Sequence, residues 1–389
     1  MKKKIVYASC TCSDDMFEKM YLTNKKLPGQ AVQKYHRLLA KGLALNDRDV
    51  TMVSFLSLNR ASYNKLYFPR YAEHVECLNY RYIPEINVPI LKNIMGVVST
   101  YKEICSVNAG EEIVIFCDVL NVSVSWGAVL AAKKIGCSCI GIVTDVPELL
   151  CEKTKSLFVK LNNYIIRNCS GYILLTQAMN SVINKNDKPY IVLEGHTDVK
   201  NYEFVHQKRE GEPYVVLYAG SLHETCGIKE LIEGYIKADL QNSELWIYGS
   251  GNCEQAVIDA SKKYDVINYG GVIPNRELVK KLSEVDLLIN PRSTTPPYVK
   301  YSFPSKNLEY MFSGTPFMTT KLPGMPKEYE DYVYLIEDES ADGIADALRK
   351  VYNIDIVDQR AKGKRAQQFV AEKKNCVVQA KKILERFEI

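Results

Sequence analysis

Short β-branched apolar runs alternate with stretches of helical period from one end of this 389-residue chain to the other. That alternation leaves few folds open, because successive βαβ units feed a mostly parallel sheet with helices on both faces. The pattern predicts strands over 4–8, 50–55, 113–117, 138–143, 171–176 and 190–193, with helices notably over 31–45 and 122–135. A second set follows, with strands over 214–218, 244–248, 266–269, 287–290 and 316–319, separated by helices near 228–238, 253–264, 276–283 and 305–312. Two α/β lobes are expected, since a single core stops growing at about 250–300 residues. Hydrophobic periodicity lapses over 195–213, so the domains are read as 1–198, 199–365 and a terminal segment 366–389. Ligands of doubly wound sheets bind outside the carboxyl ends of the strands, so facing lobes would each take part of one substrate.

Composition removes several classes. No run approaches the roughly 18 apolar residues of a membrane span. Lys2, Lys3 and Lys4 are followed by only a short apolar stretch, too short for a signal peptide, so a cytoplasmic protein is expected. Twelve cysteines scatter among apolar runs, the usage of reduced, buried thiols rather than a disulfide scaffold. The pairs Cys10/Cys12 and Cys137/Cys139 lack a second pair or a histidine cluster at ligand spacing, so no structural zinc is expected. A net charge of +4 argues against a nucleic-acid binder, but it is unevenly spread. Residues 1–200 carry 25 basic and 18 acidic side chains (net +7), 201–360 carry 17 and 25 (net −8), and 361–389 carry 8 and 3 (net +5). If the last segment folds back on the first lobe, that lobe is cationic and suits an anionic membrane surface or a diphosphate-bearing acceptor.

The segment 302–316 carries the most chemistry. Pro304 and Ser305 favour a helix start and Gly314 with Pro316 marks its end. Free N–H groups at that start, together with Lys306, make a site for phosphate oxygens. Glu309, one turn on, can accept two hydrogen bonds from a vicinal diol such as a ribose. An ordinary surface pair between Lys306 and Glu309 is the plain alternative.

The order of motifs resembles the retaining glycosyltransferases of family 4, within the group 1 glycosyltransferases. The resemblance covers most of the chain and extends to a subset with a Phe-Pro-Ser-Lys donor helix. Tyr218-Ala219-Gly220-Ser221-Leu222 looks like the first strand and loop of the donor domain, and Gly249-Ser250-Gly251 like the family's Gly-x-Gly turn. Gly270-Gly271 and Asn290-Pro291 resemble the next strand ends. The run from Pro304 to Pro316 then looks like the donor helix, and Leu27-Pro28-Gly29-Gln30 like the glycine-rich loop of the first domain. The resemblance implies the GT-B fold, two Rossmann-like domains facing across a cleft with a C-terminal helix crossing back. It further implies a nucleoside diphosphate sugar, most readily UDP-linked, as donor, retention of anomeric configuration, and a hydroxyl acceptor on a glycan or lipid. No other cofactor and no metal are expected. Gly29, Gly220, Ser221, Gly249, Arg292, Ser305, Lys306, Asn307, Leu308 and Glu309 are the implied donor-binding residues.

Departures accompany the likeness. Ser221 and Cys226 stand where relatives often carry an Arg and a Lys on the diphosphate, and Tyr301 where an earlier glutamate would be. Lys306 and Arg292 are expected to take over the phosphate charges. Asp145 ends a strand where many relatives have a histidine and is a candidate to orient a hydroxyl, or else a turn cap. Asp118 is a weaker candidate of the same kind. Asp47-Arg48-Asp49 has an Asp-x-Asp spacing but sits in a polar turn and is read as solvated. In 153–167, Leu157, Phe158, Leu161 and Ile165 form either a basic amphipathic face for lipid headgroups or a core stripe. A peripheral contact with an anionic membrane and self-association into a homo-oligomer are carried as open expectations. The rivals to a transferase are a non-catalytic accessory subunit and a nucleotide-sugar epimerase. A nicotinamide dehydrogenase is disfavoured because no Gly-x-Gly-x-x-Gly follows the first strand.

Overall fold

The computed structural model describes residues 3–21, 30–59, 63, 65–107, 110–150, 156–198 and 211–389. The chain divides into two compact units: Met1–Asp198 together with Asn375–Ile389, and Val199–Lys374.

In the first unit the described elements run β1 (Lys4–Ser9), α1 (Asp14–Tyr21), α2 (Gln30–Leu45), β2 (Val50–Ser54), β3 (Tyr67–Phe68), β4 (Tyr71–Val75), β5 (Leu78–Tyr82), β6 (Glu85–Ile86) and α3 (Leu91–Val107). They continue with β7 (Ile113–Asp118), α4 (Val122–Ile135), β8 (Cys139–Val143), α5 (Leu157–Asn168), β9 (Gly171–Leu174), α6 (Gln177–Ile183) and β10 (Tyr190–Val192). The main sheet has the order β10-β9-β8-β7-β1-β2-β5-β4, parallel except for β4, which pairs antiparallel with β5. β1, β2, β7 and β8 are almost wholly buried. Helices on both faces make such strands near-continuous apolar runs, which is why the sequence pattern finds them. The edge strand β4 and the small β3–β6 ribbon are not in the expected set. β4 is mostly exposed and polar, and its turn to β5 passes through Glu76 at φ +54 rather than a glycine or proline.

The second unit runs β11 (Tyr214–Ala219), α7 (Ile228–Ala238), β12 (Ser243–Tyr248), α8 (Glu254–Lys263), β13 (Ile267–Tyr269), α9 (Asn275–Leu282), β14 (Leu287–Asn290), α10 (Ser305–Phe312), β15 (Phe317–Thr320), β16 (Tyr334–Ile336), α11 (Ala341–Tyr352) and α12 (Ile356–Lys373). Its six parallel strands are ordered β13-β12-β11-β14-β15-β16. One face of the sheet packs on Leu231, Tyr235, Ile344 and Leu348 of α7 and α11. The other packs on Leu308 and Met311 of α10 and Phe369 of α12.

The last helix, α13 (Cys376–Phe387), belongs to the first unit. The segment expected to return from residue 366 is thus divided: α12 stays with the second unit through Lys373, and only the chain from Asn375 joins the first. Asn375 caps α13 by accepting from the Val378 N–H at 2.9 Å, and the Cys376 N–H donates to the Thr197 carbonyl at 2.9 Å. Helix α13 packs along α2, where a Cβ on Gly42 would overlap the Cys376 carbonyl. Ala380, Ile383 and Leu384 complete the core formed by Tyr7, Leu39 and Leu43.

Candidate active site

In both sheets the winding reverses beside the first strand of the unit, between β11 and β14 in the second unit and between β1 and β7 in the first. Helices flanking such a point diverge to opposite faces, opening a crevice at the carboxyl ends of the strands.

In the second unit β11 ends at Ala219 and turns through Gly220 at φ +150, where a Cβ would come within 2.9 Å of Lys306 Nζ. Gly249, at φ +134 after β12, packs so closely that a Cβ would overlap the Gly220 carbonyl. Gly249 requires glycine for both conformation and space, and Gly220 for its conformation, since the lysine end beside it can shift. Helix α10 is fixed against the strand tips by two buried contacts. The Tyr310 hydroxyl accepts from the Ala219 N–H at 2.7 Å and donates to the Ala219 carbonyl at 2.8 Å. Asn290, the last residue of β14, donates from Nδ2 to Asn307 Oδ1 at 2.8 Å.

The N-terminus of α10 therefore lies at the switch point. Its N-cap is Pro304, which offers no side-chain capping bond, and Ser305 is exposed. Lys306 is half-buried and lays its ammonium over the Tyr218 ring, 4.1 Å from the centroid, while donating to Tyr218 Oη at 3.0 Å. The Tyr218 hydroxyl in turn donates to the Ser221 carbonyl at 2.7 Å. Desolvation lowers the Lys306 pKa to about 8, with the Arg292 charge adding to the effect and Cys226 opposing it. Arg292, two residues beyond β14, stacks 5.9 Å from the Tyr298 centroid and keeps a buried Nε without a hydrogen-bond partner. Its carbonyl accepts from Thr320 Oγ1 at 2.6 Å. Two cations, free helical N–H groups and no paired carboxylate on either cation among the described residues make a site that lacks a counter-anion.

Glu309 is half-buried on the following turn of α10. Asn307 and Leu308, only 1% and 2% exposed, serve packing through their side chains. Ser221 is exposed and Cys226 half-buried. A cavity of 370 Å³ adjoins the same strand ends, between Thr225, Gly227, Pro291 and Ser293, with Glu224, Glu230 and Glu339 on its wall. Glu339 accepts from the Thr294 N–H with both oxygens at 3.0 Å. Its acidic wall suits hydroxyl or cationic groups rather than phosphate.

In the first unit the switch point holds a buried polar chain. Tyr7 Oη and His36 Nδ1 share a hydrogen bond of 2.7 Å, and His36 Nε2 lies 3.6 Å from Asp118 Oδ2. Burial lowers the His36 pKa against the opposing pull of Asp118. Gln33 reads the end of β1, donating to the Cys10 carbonyl at 2.8 Å and accepting from the Cys12 N–H at 3.1 Å. Asp145 is half-buried in the bend after β8, just before a 3-10 turn at Pro147–Leu149. Gly29 lies outside the described residues. Asp49 of the Asp-x-Asp pattern pairs with Lys4 at 3.0 Å.

Sequence reasoning singled out Lys306 and Arg292 but passed over Tyr218, Tyr310, Asn290 and His36. Tyr218 lies within an apolar run, and nothing in such a run marks which hydroxyl will serve as a support.

These features can be set beside known proteins. Residues 198–369 match the family model of glycosyl transferases group 1. The group 1 match falls on the unit that holds the Lys306–Arg292 site. No curated protein matches the chain in sequence. Among solved structures it is similar to sucrose-phosphate synthase from Thermosynechococcus elongatus, at 14% identity and a TM-score of 0.68 over 100% of this chain and 98% of that one. It is also similar to HepE from Anabaena, solved in complex with UDP, at 12% identity and a TM-score of 0.65 over 99% of each chain. A third is the catalytic domain of starch synthase IV from Arabidopsis thaliana, bound to ADP and acarbose, at 12% identity and a TM-score of 0.67 over 100% and 99%. The fold of the chain is that of the GT-B glycosyltransferases, with two Rossmann-like units.

Proposed function

We propose that the protein is a retaining glycosyltransferase that moves a hexose from a UDP-linked sugar to a hydroxyl of a glycan or lipid-linked acceptor, with no metal at the reacting centre. The observation that carries this reading is the uncompensated cationic site formed by Lys306, Arg292 and the uncapped start of α10. The second unit serves as the donor domain and the first as the acceptor domain. When the glycosidic bond to phosphate breaks, negative charge grows on the diphosphate, and preoriented donors there lower the barrier. The Lys306 ammonium, only half-buried and held by Tyr218, is available to a phosphate oxygen. Glu309 accepts from the ribose hydroxyls, and Asp145 orients a hydroxyl of the sugar or acceptor. Complexes of HepE with UDP and of TarM with UDP, on the same fold, support the choice of nucleotide.

The acceptor is the less polar partner. In the first unit Leu157, Phe158 and Leu161 line a groove of 730 Å³ with Ile90, Ile94 and Trp126, while Ile165 of the same helix goes into the core. We assign this groove to the hydrocarbon part of a lipid-linked acceptor, at an anionic membrane surface.

The test is nucleotide binding and turnover by the purified chain. UDP and UDP-hexoses are expected to bind, and Lys306→Met to lower turnover by about 100-fold or more, the scale of one lost oxyanion contact. Glu309→Ala is expected to weaken UDP while leaving inorganic pyrophosphate unaffected. A folded protein that binds neither UDP nor any UDP-hexose at millimolar concentration refutes the reading.

A further inference from the structure

Three cysteine sulfurs converge in the first unit. The parallel register pairs Cys117 of β7 with Gly141 of β8, and Ile115 with Cys139. Because side chains alternate along a strand, Cys117, Cys139 and Gly141 share one face of the sheet. Cys169, which caps the end of α5, reaches over Gly141, where a Cβ would stand 2.9 Å from its sulfur. The glycine opens the space that the third thiol fills. The Cys117 and Cys139 sulfurs are 3.7 Å apart and all three lie within 4.8 Å of one another. A disulfide needs about 2.05 Å, so these are separate thiols. Planar three-coordination with metal–sulfur bonds of about 2.3 Å places the sulfurs about 4 Å apart, inside the observed span.

We propose that Cys117, Cys139 and Cys169 form a three-sulfur site for one soft, thiophilic divalent cation. Soft thiolates select such ions over magnesium or calcium. Binding replaces three S–H protons with one M²⁺, releasing three H⁺ and leaving a site of net charge −1. Lys188 supplies the compensating charge: its ammonium donates to the Cys169 carbonyl at 2.5 Å and the Arg167 carbonyl at 2.7 Å. A monovalent ion would leave −2 for that one ammonium to offset. No fourth His, Cys, Asp or Glu joins the group among the described residues, and each cysteine is at most 1% exposed. Cadmium or mercury, which accept three sulfurs, fit better than zinc, which takes four ligands. The site ties the end of α5 to two neighbouring strands. It stands on the geometry of the thiols and is independent of the transferase reading.

Cadmium titration of the reduced, chelator-treated full chain tests it. We expect one tightly bound Cd²⁺ with a sulfur-to-metal charge-transfer band, three protons released per ion in weakly buffered solution, and a higher thermal midpoint, because the ion binds only the folded state. Cys169→Ser should weaken binding about tenfold or more, while Cys77→Ser, away from the cluster, should leave it unchanged. The proton count is read on the wild-type chain, so the proposal stands or falls even if Cys169→Ser does not fold. Absence of the band, release of fewer than two protons, or a band that Cys169→Ser retains in full overturns the site.

Discussion

The Tyr310 hydroxyl closes a two-way hydrogen bond with the backbone of Ala219, accepting at 2.7 Å and donating at 2.8 Å. One side chain thereby fixes the distance from the end of β11 to the start of α10, the distance across which phosphate would be gripped. Tyr310→Phe removes both bonds and leaves a buried N–H and carbonyl without that partner. The expected cost is about 1–3 kcal/mol in urea unfolding, with a weaker UDP affinity. Unchanged stability would show that α10 is held by apolar packing alone.

Lys306 gives the site a pH signature. Its pKa in the folded chain is about 8, below the ordinary 10.5, so between these values the unfolded chain binds the proton and the folded chain does not. The stability of the unliganded protein should therefore rise with pH from about 8 upward. Diphosphate binding favours the charged amine, so UDP affinity should be level below about pH 8 and fall above it. Calorimetry from pH 7 to 9.5 checks this. Lys306→Arg, which stays charged, should flatten the profile.

Glu85 titrates in the opposite sense. It is 1% exposed and accepts from the N–H groups of Leu56, Ser57 and Leu58 at 2.6, 3.2 and 3.0 Å. Desolvation outweighs those bonds and raises its pKa to about 7 from 4.5. Between those values the folded state holds the extra proton, so stability from this group is greatest below about pH 4.5 and declines as pH rises to about 7. Denaturation of Glu85→Gln at pH 5 and pH 8 should show a smaller difference than the wild type shows.

The apolar groove predicts a surface phenotype. Leu157 and Ile94 are 70% and 56% exposed, so Leu157→Asp and Ile94→Asp should cost little stability, within about 0.5 kcal/mol. Both should reduce sedimentation with anionic vesicles. Equal partitioning of both variants and wild type would remove the groove from the acceptor model.

Gly42 tests the docking of α13. A Cβ there overlaps the Cys376 carbonyl, and backbone cannot yield as a side-chain end can. Gly42→Ala should destabilise the first unit by about 1–3 kcal/mol and expose the C-terminal helix to limited proteolysis.

The central strands were legible because burial on both faces writes itself as unbroken apolar runs, as in β7 and β11, and the start of α10 because Pro304, Ser305 and Gly314 punctuate it. Other features leave no such trace. Strand β4 is polar and its turn at Glu76 lacks the usual turn residues. The stripe over 157–165 reads the same whether it faces core or solvent, and the structure divides it, sending Ile165 inward and Leu157 outward. Tyr218 and Tyr310 look like any core tyrosine until the backbone shows what their hydroxyls meet. The three clustered thiols come from separate βα units, and only the strand register brings them together.

The polypeptide leaves the first unit at Asp198 and re-enters it at Asn375. During synthesis the second unit emerges as one continuous stretch and can mature by itself, whereas the first waits with the Leu39–Leu43 surface of α2 uncovered until residues 375–389 leave the ribosome. Vectorial folding normally favours the N-terminal domain; here the core of the first unit stays open along α2 until residues 375–389 have been made.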